Sequence, residues 1–502
     1  MAKIWLKYLN FCGKYGMIKY ICMSKKALRK IRFFQTRAHR AVFSAFKQSI
    51  FYKIHIKRKG KIMSKVVKFG GSSLADAKQF KKVADIIHAD PERRYVVPSA
   101  PGKRFKEDTK VTDMLYRCYD DVAVHGKDFN ESFAPIKERF NGIIAELGIE
   151  LSLDEEFAKI GENFRAGIGS DYAASRGEYL NGIVLAKYLG FEFIDAAKAI
   201  FFDNKGNFDD AITDACLGAL LDKTAKAVIP GFYGAMPDGT IKTFSRGGSD
   251  FTGSVVAKAA RVSLYENWTD VSGFLVADPR IVENPAGINV ITYSELRELS
   301  YMGAGVLHED AIFPVRSANI PINIKNTNAP QDAGTLIVPT QGAPASEHII
   351  TGIAGKKNFS VISIEKDRMN SNKGFLRRLL QVLENHGIFP EHMPTGIDTV
   401  SVIVNTSELD GQREKLTERL IEVVKPDHFE IIDGLALIAV VGRGMRSVKG
   451  TATRVFAALS HANINIRMID QGSSELNIIV GIESADFEKA IQVIYNMFML
   501  SE

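Results

Sequence analysis

A β-branched run, Lys65-Val66-Val67-Lys68-Phe69, leads at once into Gly70-Gly71-Ser72-Ser73 and a helical stretch beginning near Ala75. Strand, glycine pair and helix in that order bring backbone N–H groups close to an anion. Glycine tolerates positive φ and puts no side chain in the way, and a helix N-terminus adds partial positive charge. Lys68 adds a full charge beside those amides, although a glycine pair on its own often only turns the chain. A second turn, Ser245-Arg246-Gly247-Gly248-Ser249-Asp250, precedes an apolar helix over 251–260. Arg246 offers a planar fork that matches a carboxylate, and the Gly247-Gly248 amides suit a phosphate. A solvated turn closed by an Arg–Asp ion pair is the other reading. Further on, Thr269-Asp270-Val271-Ser272-Gly273 follows a strand-like segment at 263–265 and leads to Asp278-Pro279-Arg280. This is a strand-end loop, where open α/β sheets hold ligands.

Elements able to position such residues need a large folded body. The chain has 502 residues, 46% hydrophobic and 25% charged, enough for a substantial core and, on length, about three domains. That balance argues against a mainly disordered, collagen-like or disulfide-stapled protein. The four cysteines, Cys12, Cys22, Cys118 and Cys216, are scattered and form no CxxC pair, so a reducing, cytoplasmic setting is expected. There is no Walker GxxxxGK[ST], no GxGxxG, no GxSxG and no HExxH. The common P-loop, Rossmann, serine-hydrolase and zinc-protease explanations therefore lack support.

Charge is unevenly spread. Residues 1–62 carry 17 Lys and Arg and no Asp or Glu, which against the chain's +7 leaves −10 for residues 63–502. The basic balance belongs to an N-terminal extension, so it gives no reason to expect nucleic-acid binding by the body. No charge-free run in that extension exceeds six residues, short of the roughly 20 apolar residues of a membrane span. It also lacks the layout of a signal peptide. It reads as a surface for anionic lipid or RNA, as a targeting segment, or as a stretch outside the folded enzyme. The last reading is preferred because Met63 stands directly before the first convincing strand.

Four segments in order resemble the aspartate kinase branch of the amino-acid kinase family. They are Lys68-Phe69-Gly70-Gly71-Ser72-Ser73, Ser175-Arg176-Gly177-Glu178, Arg246-Gly247-Gly248-Ser249-Asp250, and Thr269-Asp270-Val271 with Asp278-Pro279-Arg280. The resemblance implies an α/β three-layer sandwich over 63–345, followed by two ferredoxin-like (βαββαβ) ACT domains over 346–432 and 433–502. It implies transfer of the γ-phosphoryl group of ATP, with Mg2+, to the side-chain carboxylate of L-aspartate. Such a carboxylate, with a pKa near 3.9, is already an ionised nucleophile at neutral pH, so no general base is needed. The protein's task is to hold two anions together and neutralise charge as the phosphoryl group moves.

By the same resemblance Lys68 contacts the transferring phosphoryl group and Asp250 positions it. Glu178 helps bind the substrate ammonium, Arg246 grips a substrate carboxylate, and Ser99 and Thr112 supply substrate-side hydroxyls. Gly70, Gly71, Ser72, Gly247, Gly248, Thr269, Asp270 and Arg280 fall on the nucleotide side. No metal ligand is assigned to the protein. Residues 101–105, Pro-Gly-Lys-Arg-Phe, form a longer and more basic loop than in many members. Two further departures stand out: Leu275 where the family often has tyrosine, and Gly305 where it often has a nucleotide-contacting lysine. Lys103 and Arg104 are candidate substitutes for that lysine, and His308 is expected to pack or support rather than bind metal.

From about residue 349 short strands alternate with amphipathic helices. Strands are expected at 359–364, 400–404, 435–441, 464–468 and 476–480, and helices at 374–385, 409–424, 451–460 and 487–498. These modules resemble paired ACT domains, which sense amino acids, with residues 349–353 available to complete the second. Their effector-site edges resemble residues 365–370 and 391–398, which makes Met369, Phe375, Glu391 and Asp398 candidates for a zwitterionic effector, lysine before threonine. Sheets with exposed edges also pair, so a homodimer or dimer of dimers through these modules is expected. The combined reading is a monofunctional, feedback-inhibited aspartate kinase. A catalytically silent amino-acid sensor and a different amino-acid kinase are the alternatives.

Overall fold

The computed structural model describes residues 64–500 except 246, 306, 308 and 347; the basic extension 1–62, Arg246 and His308 lie outside the described residues. The first strand, β1 (Lys65–Phe69), is short, β-branched and buried along most of its length. It sits in the middle of a mixed sheet built from β1, β2 (Arg93–Pro98), β3 (Glu192–Phe193), β4 (Ala227–Val228), β7 (Leu264–Thr269), β8 (Val290–Thr292), β9 (Ile322–Asn326) and β10 (Thr335–Val338). Their spatial order is β3-β4-β2-β1-β7-β9-β10-β8, while β5 (Tyr233–Ala235) and β6 (Ile241–Thr243) form a separate hairpin. From β3 to β9 neighbouring strands are parallel; β10 turns antiparallel to β9.

The chain first builds outward from β1 through β2 to β4 and β3, then returns to lay β7 on the other flank of β1. The order therefore reverses between β1 and β7, and in open α/β sheets ligands bind outside the carboxyl ends of strands at such a reversal.

Period-two alternation sorts side chains into two cores. Val67, Phe69, Val96, Val228 and Trp268 face one, together with helices Phe129–Leu147 and Ser170–Leu189. Val66, Val97, Ile229 and Tyr265 face the other, with helices Asp210–Leu221 and Gly248–Ala260. The result is the expected three-layer α/β sandwich. It also decides where Lys68 points: two residues on from Val66, it faces the layer containing helix Gly248–Ala260.

The C-terminal half is a five-stranded antiparallel sheet of β11 (Gly352–Glu365), β12 (Thr399–Asn405), β13 (His428–Val441), β14 (Ile466–Asp470) and β15 (Asn477–Glu483), ordered β12-β11-β13-β15-β14. The expected ACT-type antiparallel sheet is present, but the two modules are fused. β11 and β13 each run fourteen residues and belong to both halves. Their pairing shifts register around residues 356–359, where Asn358 has φ 76° and, across the ladder, Gly434 has φ 81°. Helices Phe375–Asn385 and Arg413–Val424 cover one half over their own apolar cluster. Helices Thr451–His461 and Phe487–Met499 cover the other, whose core is continuous with that of the kinase sheet.

Several elements differ in extent from the sequence reading. The strand expected at 263–265 continues to Thr269, and the helix expected at 251–260 begins at Gly248. The helix expected over 409–424 starts only at Arg413, because Gly411 adopts φ 73° and interrupts the run.

Candidate active site

The parallel register sets Lys68 beside Asn267 of β7 and Val97 of β2. Lys68 Nζ lies 2.7 Å from Asp250 Oδ1, in the first turn of helix Gly248–Ala260, and Asn267 Nδ2 donates to the same oxygen at 2.8 Å. Asp250 is thus held from two strands, and it in turn aims the ammonium. The lysine side chain is 9% exposed and the aspartate 21%, so the pair is largely shielded from solvent. Gly247, at φ 72°, supplies the left-handed turn into this helix, and the first amides of the helix have no intrahelical partner.

Beside it, Gly70 N–H donates to Trp268 O at 3.0 Å and Ser99 N–H to Phe69 O at 3.1 Å, so both loops leave the sheet at the same edge. Gly71 and Gly102 meet back to back: Gly102 N–H donates to Gly71 O at 2.9 Å, and a Cβ on Gly102 would lie 2.6 Å from the Gly71 carbonyl carbon. Only glycine fits that approach. Ser73 Oγ bonds Thr327 Oγ1 at 2.7 Å, and Thr327 N–H reaches Thr269 O at 2.9 Å, which fixes the turn against the end of β7.

Glu178 enters from helix Ser170–Leu189, where Gly177 lets the helix close on Ala100; a Cβ there would sit 2.7 Å from the Ala100 methyl. The carboxyl is 5% exposed and its Oε2 has no hydrogen-bond partner. Burial pushes its pKa up to about 8, against the opposing pull of the Ala100 amide and the charges of Lys68 and Arg176. A buried carboxyl with an unused oxygen is a receptor for a cationic group. Arg176 next to it is enclosed by Tyr172, Tyr179 and Tyr233, with its guanidinium 4.4, 4.4 and 5.3 Å from their ring centres. Asn181, one turn on from Glu178, donates to Ser99 O at 2.6 Å.

Lys68, Gly70, Gly71, Ser99, Glu178, Gly247, Gly248, Asp250 and Thr269 are therefore tied to one edge of one sheet. Ser72 is exposed on that turn, and Thr112 lies half-buried in the first turn of helix Val111–Tyr119. Asp270 is exposed and accepts from Thr269 Oγ1 at 3.1 Å. Arg280 stands apart: its side chain is 88% exposed and pairs with Asp278 at 2.6 Å. Of the substitute cations, Arg104 is engaged bidentately by Asp108, while Lys103 donates to the Lys106 carbonyl at 3.2 Å. Asn267 and Asn181 were not singled out in the sequence, although a polar Glu266-Asn267 pair inside an otherwise apolar strand was the available signal for the first.

A family model described as the amino acid kinase family matches residues 63–326, and an ACT domain model matches residues 438–498. Aspartokinase 3 of Bacillus subtilis (strain 168) is 39% identical over 449 residues, covering 86% of this chain and 98% of that one. The crystal structure of Clostridium acetobutylicum aspartate kinase, described as an allosteric enzyme, superposes with a TM-score of 0.80 at 54% identity, over 87% of this chain and 100% of the other. The chain belongs to the aspartokinase branch of the amino acid kinase family. Escherichia coli aspartokinase III, 25% identical, was solved with aspartate and ADP (R-state; TM-score 0.65, 86% of this chain and 99% of that one). It was also solved with lysine and aspartate (T-state; TM-score 0.64, 87% and 99%). As an aspartokinase the chain is a nucleotide-using phosphotransferase of aspartate-pathway amino-acid biosynthesis that carries an ACT sheet.

In this aspartokinase the kinase and ACT halves meet along helix Tyr293–Tyr301. Glu295, fully buried, accepts from Arg443 Nη1 at 2.7 Å, Arg443 N–H at 2.9 Å, Thr351 Oγ1 at 2.6 Å and Thr292 Oγ1 at 2.7 Å. Burial alone would raise its pKa, but the bonds from Thr351, Arg443 and Thr292 outweigh it and hold the carboxyl below its usual range. Tyr301, at the other end of the helix, donates to Glu391. Of the candidate effector residues, Met369 and Phe375 are buried in the first module's apolar cluster, Glu391 is committed to Tyr301, and Asp398 is exposed. Glu295 and Arg443 escaped the sequence reading; the capping-box spacing Thr292-x-x-Glu295 was the only local signal for either.

Proposed function

We propose that the chain transfers the γ-phosphoryl group of ATP to the β-carboxylate of L-aspartate, releasing ADP and 4-phospho-L-aspartate. This would be the first step toward lysine, threonine and methionine, including the diaminopimelate route. The observation that carries this reading is the buried Glu178 carboxyl with its unpartnered oxygen, placed at the same strand edge as the Lys68–Asp250 pair. One group suits the ammonium of an amino acid and the other the phosphoryl group approaching its side chain. A carboxylate oxygen of aspartate forms the new P–O bond as the bond to ADP breaks, so no proton has to move. Lys68 meets the phosphoryl charge, Asp250 and Asn267 orient Lys68, the Gly71, Gly247 and Gly248 amides face phosphate oxygens, and Gly70, whose N–H is held by Trp268 O, keeps the turn against the sheet on the nucleotide side. Ser99 and Thr112 would flank the amino acid, Arg246 its carboxylate, and Ser72, Thr269, Asp270 and Arg280 the nucleotide.

Among the described residues no group of three or more His, Cys, Asp or Glu could hold a metal ion. Mg2+ would arrive on the ATP phosphates, where it neutralises charge on the transferring group. No helix among the described residues is long and apolar enough to cross a membrane. The chain would work in a reducing, cytoplasmic setting, the one its few and scattered cysteines lead one to expect.

The ACT modules would bind an inhibitory amino acid, lysine, the ligand of the T-state E. coli structure. The outer edge of β14, with exposed Leu376, Leu380 and Ile397 on the first module, supports a homodimer or dimer of dimers through these modules, whereas the β12 edge is covered by residues 391–395. Coupled ADP release, with and without L-aspartate and titrated separately with lysine, threonine and methionine, tests the whole reading. Aspartate-dependent turnover inhibited by lysine is expected. Lysine binding without any turnover would overturn it in favour of a silent sensor.

A further inference from the structure

Behind the two active-site loops a single guanidinium joins them. Arg139, on helix Phe129–Leu147, is 7% exposed. Its Nη2 donates to Ala75 O at 2.9 Å and to Gly102 O at 2.7 Å, and its Nη1 to Asp108 Oδ2 at 2.9 Å. Ala75 closes the turn that begins at Gly70, and Gly102 lies in the loop that begins at Ser99. Asp108 is itself locked by Arg104, through Nε at 2.8 Å, Nη2 at 3.0 Å and the Arg104 N–H at 3.0 Å.

A buried charge is a poor way to gain stability, because apolar side chains of similar volume usually do as well or better. What the planar fork supplies is geometry: two main-chain carbonyls from two different loops held by one nitrogen. The Gly71–Gly102 contact shows how closely the loops are pressed together. Gly70 and Gly71 lie on the nucleotide side and Ser99 on the amino-acid side of the function proposed above, on which this argument rests. We propose that Arg139 is a positioning residue for phosphoryl transfer, clamping the glycine turn to the Ser99–Gly102 loop and so fixing the distance between donor phosphate and acceptor carboxylate. A displacement of about 1 Å between reacting groups is worth about a hundredfold in rate. The clamp therefore acts on kcat more than on either substrate's KM.

The test uses the full chain. Arg139→Ala is expected to lower kcat by about thirtyfold, with KM for ATP and aspartate each changed by less than about threefold. A cavity of about 600 Å³, lined by Arg104, Asp108, Arg117, Glu138 and Arg139, gives a small cation access to the vacated position. Millimolar guanidinium chloride should therefore restore kcat about tenfold in this variant and leave the parent unchanged. Amide hydrogen exchange over residues 70–75 and 99–105 should quicken while helix Gly248–Ala260 keeps its protection. Should Arg139→Ala fail to fold, Arg139→Lys and Asp108→Asn carry the test, each expected to lower kcat by about threefold or more. Folded variants with kcat within about twofold of the parent and no quickened exchange would overturn the clamp. A parent with no aspartate-dependent turnover would overturn the proposed function and the clamp's catalytic role together; an active parent with unchanged variants overturns the clamp alone.

Discussion

Glu178→Gln separates what the buried carboxyl costs the fold from what it does for a ligand. In the unfolded chain the group titrates near its ordinary value of 4.5, whereas burial raises it to about 8 in the folded one. The sign follows directly. Below about pH 4.5 both states are protonated and the burial carries no penalty of this kind. As pH rises toward 8 the unfolded chain ionises while the folded one holds its proton, so stability is lost across that window and levels off above it. At about 1.4 kcal/mol per pH unit, the loss is roughly 3 kcal/mol at pH 7. Glutamine has no proton to lose, so ligand-free Glu178→Gln should be more stable than the parent at pH 8, and the gap should close at pH 4.5. Denaturant midpoints measured across that range check this. The same substitution leaves a substrate ammonium without its counter-charge. Losing one partner of a buried pair costs about 3–5 kcal/mol, so kcat/KM for aspartate should fall by two to three orders of magnitude. In the parent, kcat/KM for aspartate should rise with pH up to about 8, and this limb should disappear in the variant. A Glu178→Gln protein less stable than the parent at pH 8, with the pH limb intact, would refute both halves of the reasoning.

Lys68→Ala should lower kcat by about three orders of magnitude or more with little change in melting temperature, since Asn267 still holds Asp250; near-normal turnover would remove Lys68 from the site. Glu295→Gln should cost about 3–5 kcal/mol by leaving Arg443 without its buried counter-charge, seen as a lower denaturant midpoint. Because the Glu295 carboxyl is held below its usual range, its contribution is present above the unfolded value and lost as pH falls through the folded one. The gap between parent and variant should therefore narrow in acid. Asp398→Asn should weaken lysine inhibition while sparing the uninhibited rate. Met369→Ala should do the same at a further cost of about 2–5 kcal/mol from its cavity. Unchanged inhibition curves in both would displace those residues from the effector site.

Much of the site was legible because it is built from local geometry. A glycine pair after a β-branched strand marks a turn that an anion can approach, although on its own it often only turns the chain, and alternation predicts which core each strand residue joins. Lys68 could be named from such signals and Asp250 from the family resemblance, but their 2.7 Å contact depends on which strand neighbours β1, and no periodicity encodes that. Asn267, Asn181 and Arg139 act through partners more than thirty residues away or on other elements, so each looks in sequence like an ordinary polar residue. The fused regulatory sheet was hidden for a related reason. Alternation marks where strands begin and end, but it does not say that β11 and β13 continue through a left-handed residue into a second module.

That fusion bears on how a regulatory module could act on the kinase sheet. Helix Tyr293–Tyr301 presents Glu295, Glu298 and Tyr301 to the regulatory half, and each finds a different partner: Arg443, Asn477 and Glu391. The Glu295–Arg443 bond is buried and backed by two threonine hydroxyls, so breaking it strands a charge. The Tyr301–Glu391 bond is at the surface, with Tyr301 44% exposed, and water replaces either partner at small cost. The buried contact at one end of the helix is therefore the costlier one to break and the exposed contact at the other end the cheaper one. Glu391 begins the 391–398 segment, whose Glu391 amide bonds Ile403 O at 2.8 Å and whose His392 bonds Asp470 at 2.7 Å on the second module. A ligand that bound two arrangements of that segment unequally would shift the balance between them, and the exposed Tyr301–Glu391 contact is the one such a shift breaks at least cost.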